Sequence, residues 1–253
     1  MKAVILAGGF GTRLWPLTKY IPKALLPVGG KPIIDFHIEQ ILVTGKIDDI
    51  VVSTNANFEA HFRYWQQKLP MPARNMTRLV VEPSRNEKEK PGAIKALLHI
   101  LTAHYITSGD LVTLAGDNLF GFQLADFISF FYSKGRHPSV AFCDLRDINK
   151  VKQRYGVATL DNNGKLVSFE EKPSEPKCAL ASTACYVYPP DITEYIREYI
   201  ENKNNPDALG YFISWLHRKT DVYGFVFEGP WFDIGSFDSY EQANQYYTAQ
   251  TLI

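Results

Sequence analysis

The chain opens on a short, wholly apolar run, residues 3–7 (A-V-I-L-A), closed by Gly8 and Gly9. A strand buried on both faces has this pattern. Runs of the same kind recur at 50–52, 79–81 and 111–115, each separated from the next by a helix-like stretch. Within one stretch Phe58, Phe62, Trp65 and Leu69 repeat four, three and four apart, which predicts an amphipathic helix with Asn57 available as its cap. Leu124, Phe127, Ile128 and Phe131 predict a second such helix after the fourth strand. Strands alternating with helices imply an α/β fold on a parallel sheet.

Beyond about residue 138 the texture changes. Residues 155–160, the turn Asn162-Asn163-Gly164 and residues 165–169 read as a β-hairpin. A strand at 183–188, helices from Asp191 and Asp207, a strand at 222–227 and a closing helix from Phe237 complete the order. The expectation is a Rossmann-like three-layer sandwich with a mixed, mainly parallel sheet and an inserted β-hairpin portion. No Gly/Ser-rich or Pro-rich linker interrupts it, so residues 1–253 read as one domain with halves at about 1–137 and 138–253. The charged run 85–90 reads as a solvated loop.

Composition narrows the function classes. With 253 residues and 45% hydrophobic content the chain can bury a sizeable core, and wholesale disorder is excluded. Lys plus Arg and Asp plus Glu are equal at 27 each, so the global basic footprint of a nucleic-acid binder is missing. Cys143, Cys178 and Cys185 show no C-x-x-C spacing, which suits a reducing cytoplasm better than a disulfide framework. No apolar run approaches the ~18 residues of a membrane span, and the opening run is too short for a signal-peptide core. The expectation is a soluble cytoplasmic protein, monomeric or homodimeric.

Candidate chemistry begins where the first strand ends. Glycines at 8, 9 and 11 let backbone amides approach an anion closely, and Arg13 adds a fork of donors suited to phosphate. Lys23 follows ten residues later with a second positive charge. The commoner phosphate loops do not fit, because a G-x-G-x-x-G starting at Gly9 meets Leu14 and no G-K-[ST] is present. Asp117 stands just past the apolar run 111–115, at the carboxyl end where open α/β sheets bind ligands.

The extended segment L-A-G-G-F-G-T-R-L, followed by P-K-A-L-L-P-V and G-K-P-I-I, resembles the signature of the sugar-1-phosphate nucleotidyltransferases. The resemblance continues through L-A-G-D-N-L-F (114–120), R-Y-G-V (154–157), F-E-E-K-P (169–173) and W-F-D-I-G (231–235). It implies an enzyme that joins a nucleoside triphosphate to a sugar 1-phosphate and releases pyrophosphate, with Mg²⁺ as cofactor. Arg13 and Lys23 are then catalytic, and Asp117 and Asp233 hold the metal. Leu6, Ala7, Gly8, Gly9, Gly11, Thr12, Arg13, Glu82 and Gly92 would bind nucleotide. Gly156, Glu171, Lys172 and Thr183 would bind the sugar phosphate, making the hairpin half the sugar-binding half. In a plain strand Glu171 and Lys172 would point to opposite faces, and Pro173 is the candidate for the break that brings both into one site.

Glucose 1-phosphate with dTTP or UTP leads on whole-chain resemblance. The alternatives are a mannose-1-phosphate guanylyltransferase-type activity, or a catalytically inactive homologue that only binds nucleotide sugar. Glu82 stands where thymidylyl relatives tend to carry glutamine, and Trp15-Pro16 is similar to the guanylyl enzymes. Thr183-Ala184 replaces the Thr-Gly often found in relatives, which implies a sugar pocket narrower by one methyl group.

Overall fold

The computed structural model describes residues 1–103 and 109–251. Its principal elements begin with β1 (Lys2–Leu6), α1 (Ile33–Thr44), β2 (Asp49–Asn55), α2 (Glu59–Lys68) and β3 (Thr77–Glu82). There follow α3 (Ala93–Thr102), β4 (Leu111–Ala115), β5 (Asn118–Phe120), α4 (Leu124–Ser133), β6 (Ser139–Asp144), β7 (Gly156–Leu160) and β8 (Leu166–Glu171). The chain closes with β9 (Leu180–Tyr188), α5 (Ile192–Glu201), α6 (Leu209–Leu216), β10 (Tyr223–Phe227), β11 (Trp231–Asp233) and α7 (Phe237–Thr251). Parallel and antiparallel pairings both occur, so the expected α/β class with a mixed sheet and a hairpin is borne out. No helix among the described residues is long and apolar enough to cross a membrane.

The residues fall into two compact units that interleave along the sequence, where the pattern suggested consecutive halves meeting near residue 138. One unit comprises 1–90, 114–120 and 230–253, and the other 91–113 and 121–229. Hydrophobic periodicity reports which face of an element is buried and not which neighbour buries it. A short strand such as β5 therefore carries no sign of its distant partner.

In the first unit β1, β2 and β3 pair in parallel, with Leu6 opposite Ser53 and Asn55 opposite Glu82. Ala3, Val4 and Ile5 are wholly buried, as the unbroken apolar run requires. The Gly116 amide donates to the Leu6 carbonyl at 2.9 Å, aligning the end of β4 with the end of β1. β5 pairs antiparallel with β11 and sets Asn118 opposite Asp233. Leu14, Leu26, Val28, Ile33, Leu119, Ile234 and Ala243 form a cluster that ties α7 and β11 to the loops after β1. The α2 stripe buries Phe62 and Trp65 edge to face, but Asn57 does not cap the helix. The Asn55 side chain at the end of β2 accepts from the Phe58 amide at 3.1 Å instead, and the helix starts at Glu59.

In the second unit β7 and β8 form the expected hairpin. The Asp161 carboxylate accepts from the Asn163 and Lys165 amides, which closes the turn. β9 pairs antiparallel with β6 and touches β7, while β10 runs parallel to β6. β9 starts earlier than expected, at Leu180, and its register shifts between Ser182 and Tyr186. Ala184 lies inside that irregularity at φ 55°, in the left-handed region.

Candidate active site

β1 delivers the chain into a loop whose backbone is held from several directions. The Asn55 side chain donates to the Gly8 carbonyl at 2.9 Å, and the Thr18 hydroxyl donates to the Gly11 carbonyl at 2.7 Å. Gly11 has φ 62°, and a Cβ there would stand 3.2 Å from Thr18 Cγ2, so both conformation and space select glycine. At Gly9 a Cβ would meet nothing within 4 Å, which leaves its backbone bare to the space in front.

That space is a cavity of about 240 Å³. Leu6, Ala7, Gly9, Gly11, Thr12 and Arg13 line it from the loop, joined by Lys23, Asp117 and Gly235. Arg13, Lys23 and Asp117, which stand in separate sequence motifs, thus line one cavity. Gly8 and Glu82 stand together beside the loop: a Cβ on Gly8 would lie 2.8 Å from Glu82 Oε1, and Ser53 Oγ donates to that same oxygen. The expected Gly92 belongs to the other unit, where a Cβ would run into the Pro206 carbonyl. Glu87 and Lys90 also line the cavity. The charged run is thus partly turned inward, which composition alone could not distinguish from a solvated loop.

Lys23 Nζ forms an ion pair with Asp117 Oδ2, and Arg13 has its guanidinium against Gly235. Burial pushes the Asp117 carboxyl up, but attraction and hydrogen bonding from Lys23 and Asn118 outweigh it and hold the group below the usual range. Under this layer His37 of α1 is buried, and burial lowers its imidazole to about 4 despite the opposing charge of Asp117. It is therefore neutral at pH 7.

Asp233 reaches the same place through β-pairing, although it is 116 positions from Asp117 in sequence. The Asn118 amide spans the two carboxylates, 2.9 Å from Asp117 Oδ1 and 3.4 Å from Asp233 Oδ1. Its carbonyl oxygen accepts from the Trp231 indole at 2.8 Å. Sequence reading missed Asn118 and Trp231; both lie inside the quoted motifs, Asn118 directly after Asp117 and Trp231 two residues before Asp233. Paired carboxylates with no nitrogen or sulfur donor suit a hard cation that keeps waters and phosphate oxygens in its remaining positions. No group of three or more His, Cys, Asp or Glu capable of an all-protein cage occurs among the described residues.

The second unit holds a separate group of the expected residues. Glu171 ends β8 with its side chain only 8% exposed. Burial raises its carboxyl above the ordinary value, partly offset by Lys172. The carboxylate occupies a slot against Gly156 and Gly210, at both of which a Cβ would collide with Oε2. Lys172 leaves the extended region at φ 51°, and its Nζ comes within 3.9 Å of Glu171 Oε1. The break in strand alternation falls one residue before Pro173, whose carbonyl accepts from the Gln153 amide at 2.9 Å. Thr183 departs from expectation: it is wholly buried and donates its hydroxyl to the Ala141 carbonyl at 3.0 Å, which commits the side chain to β6.

A loop of bare glycines with Arg13, Lys23 and Asp117 around one cavity, and Asp233 joined to Asp117 through the Asn118 amide, can neutralise and orient a polyphosphate. The family model described as nucleotidyl transferase matches residues 2–250. The chain belongs to that family, and its resemblance to the sugar-1-phosphate nucleotidyltransferases is borne out. It is 30% identical over 97% of its length to a glucose-1-phosphate thymidylyltransferase of Streptomyces antibioticus, and 32% identical over 96% to a glucose-1-phosphate adenylyltransferase of Thermotoga neapolitana. It spans 65% and 59% of the length of those two relatives. A crystal structure titled as a putative glucose-1-phosphate thymidylyltransferase from Bacillus anthracis superposes with a TM-score of 0.81 at 25% identity, covering 98% of this chain and 95% of that one.

Proposed function

We propose that this chain catalyses formation of a nucleoside diphosphate sugar and pyrophosphate from a nucleoside triphosphate and a sugar 1-phosphate. The observation that carries the reading is the convergence of Arg13, Lys23 and Asp117 on the cavity at the glycine loop, with Asp233 linked to Asp117 through the Asn118 amide. A phosphate oxygen of the sugar 1-phosphate attacks the α-phosphorus, a new P–O bond forms, and the bond to the β-phosphate breaks to release pyrophosphate. Such transfers rest on positioning and charge stabilisation. Gly9 and Gly11 amides and the Arg13 guanidinium receive the triphosphate, and Lys23 moves from Asp117 toward phosphate oxygen.

Enzymes of this family generally use a divalent metal. Asp117 and Asp233 would hold Mg²⁺, which supplies charge neutralisation at the reacting phosphates. Glu171 and Lys172 are assigned to the acceptor, the buried carboxylate taking sugar hydroxyls and the lysine the sugar phosphate. Gly92 and Gly156 act in this reading through backbone space, and Thr183 through strand packing.

The leading substrates are glucose 1-phosphate with dTTP or UTP. One observation favours guanine as the alternative: Glu82 is a buried carboxylate beside Gly8, and a carboxylate can only accept, which suits the donors N1–H and N2 of guanine. The test is pyrophosphate release from a panel pairing four nucleotides with glucose, galactose, mannose and N-acetylglucosamine 1-phosphates, with Asp117→Asn as the inactive control. No release from any pair would end the proposal. If Glu82 reads the base, Glu82→Gln shifts preference toward dTTP or UTP by about tenfold; an unchanged ranking removes Glu82 from the site.

A further inference from the structure

The segment after β3 is rich in charge, yet its charges are divided between two tasks. Asn86 accepts from the Lys88 amide at 3.1 Å, and the Glu89 carboxylate accepts from the Arg85 amide at 2.7 Å. Both contacts stabilise a single 3₁₀ turn at Glu87–Glu89. Three residues per turn places i and i+3 on the same side. Glu87 and Lys90 are such a pair: they form an ion pair with each other, and both line the cavity that holds Arg13 and Lys23.

The charges lining that cavity are Arg13, Lys23 and Lys90 against Glu87 and Asp117. Lys23 is paired with Asp117 and Lys90 with Glu87, whereas Arg13 has no ion pair among the described residues. The Glu87 and Lys90 side chains are 47% and 29% exposed, and an ion pair so open to water holds weakly. A polyphosphate entering the cavity offers Lys90 a denser negative partner than one carboxylate.

Resting on the reading of this cavity as the triphosphate site, we propose that Lys90 is a triphosphate-binding residue and that Glu87 competes with the phosphate for it. Glu87 occupies the lysine while the cavity is empty and is displaced when the anion binds. The two members of one ion pair therefore have opposite effects on affinity. Removing the lysine removes a phosphate contact; neutralising the glutamate removes both a competitor and a repulsive charge at the cavity wall.

The experiment uses inorganic tripolyphosphate, which carries the phosphate chain without base or sugar, and measures its affinity by calorimetry for wild type, Lys90→Ala, Lys90→Arg and Glu87→Gln. Lys90→Ala should weaken binding about tenfold, Lys90→Arg should retain most of it, and Glu87→Gln should tighten it about threefold. Thermal melts taken in parallel separate these changes from loss of fold. A purely structural pair would lower both melting temperatures and leave the affinities unchanged or move them together. Either of those results, or no tripolyphosphate binding by any of the four proteins, overturns the proposal. Pyrophosphate release by the wild-type enzyme tests the underlying reaction independently, so the two readings fail separately.

Discussion

The Trp231 indole nitrogen donates to Asn118 Oδ1 at 2.8 Å, across the antiparallel pairing of β11 with β5. A donor on that oxygen decides which end of the amide faces away, so Nδ2 is directed at Asp117 and Asp233. The indole thereby fixes the amide whose nitrogen faces both carboxylates.

Trp231→Phe keeps an aromatic ring and deletes the donor. The amide is then free to turn its oxygen toward the carboxylates, where it repels them. The Mg²⁺ concentration for half-maximal pyrophosphate release should rise about tenfold, the scale of a lost supporting hydrogen bond around a metal site. A metal titration of both proteins measures it, and an unchanged midpoint would show that the indole does not act on the metal.

Gly210 leaves the room that the Glu171 carboxylate occupies. Gly210→Ala should expel the carboxylate and raise KM for sugar 1-phosphate about tenfold while leaving KM for the nucleotide within twofold. Glu171→Asp, one methylene shorter, should restore part of the thermal stability lost by Gly210→Ala without restoring acceptor affinity. Equal changes in both KM values would place Glu171 outside the acceptor site.

Ala184 has φ 55° inside the irregular stretch of β9. An L-residue with a Cβ is strained in that region, and glycine is not. The Thr-Ala sequence therefore carries a backbone cost in addition to its extra methyl group. Ala184→Gly should raise stability by about 1 kcal/mol, read as a higher urea midpoint; a fall in the midpoint would mean that the methyl contact outweighs the strain.

His37 titrates near 6.5 when unfolded and at about 4 in the fold. Between those values the unfolded chain binds a proton that the folded chain does not, so stability falls as pH drops from 6.5 toward 4 and levels off below. The full span corresponds to about 3 kcal/mol. His37→Gln cannot take up that proton, and its urea midpoint should fall less than that of wild type between pH 7 and pH 4.5. Parallel losses in the two proteins would show that the imidazole is not held neutral. The lowered carboxyl of Asp117 acts in the same direction below the ordinary carboxylate range, in both proteins alike.

Periodicity and composition were enough to determine the α/β alternation, the buried run of β1 and the hairpin around Gly164, because each follows from contacts within a few residues. The glycine loop, Arg13 and Lys23 were legible as candidates because the motif that carries them is contiguous in the sequence. Tertiary structure alone decided that β5 pairs with β11, and so that Asn118 and Trp231 organise carboxylates 116 positions apart. It also decided that Thr183 is spent on β6, that Gly210 makes room for Glu171, and that Glu87 and Lys90 turn into the cavity while their neighbours hold the loop. Local propensity records what a residue can do in its own segment; long-range pairing and the space left by a distant glycine are properties of the folded chain.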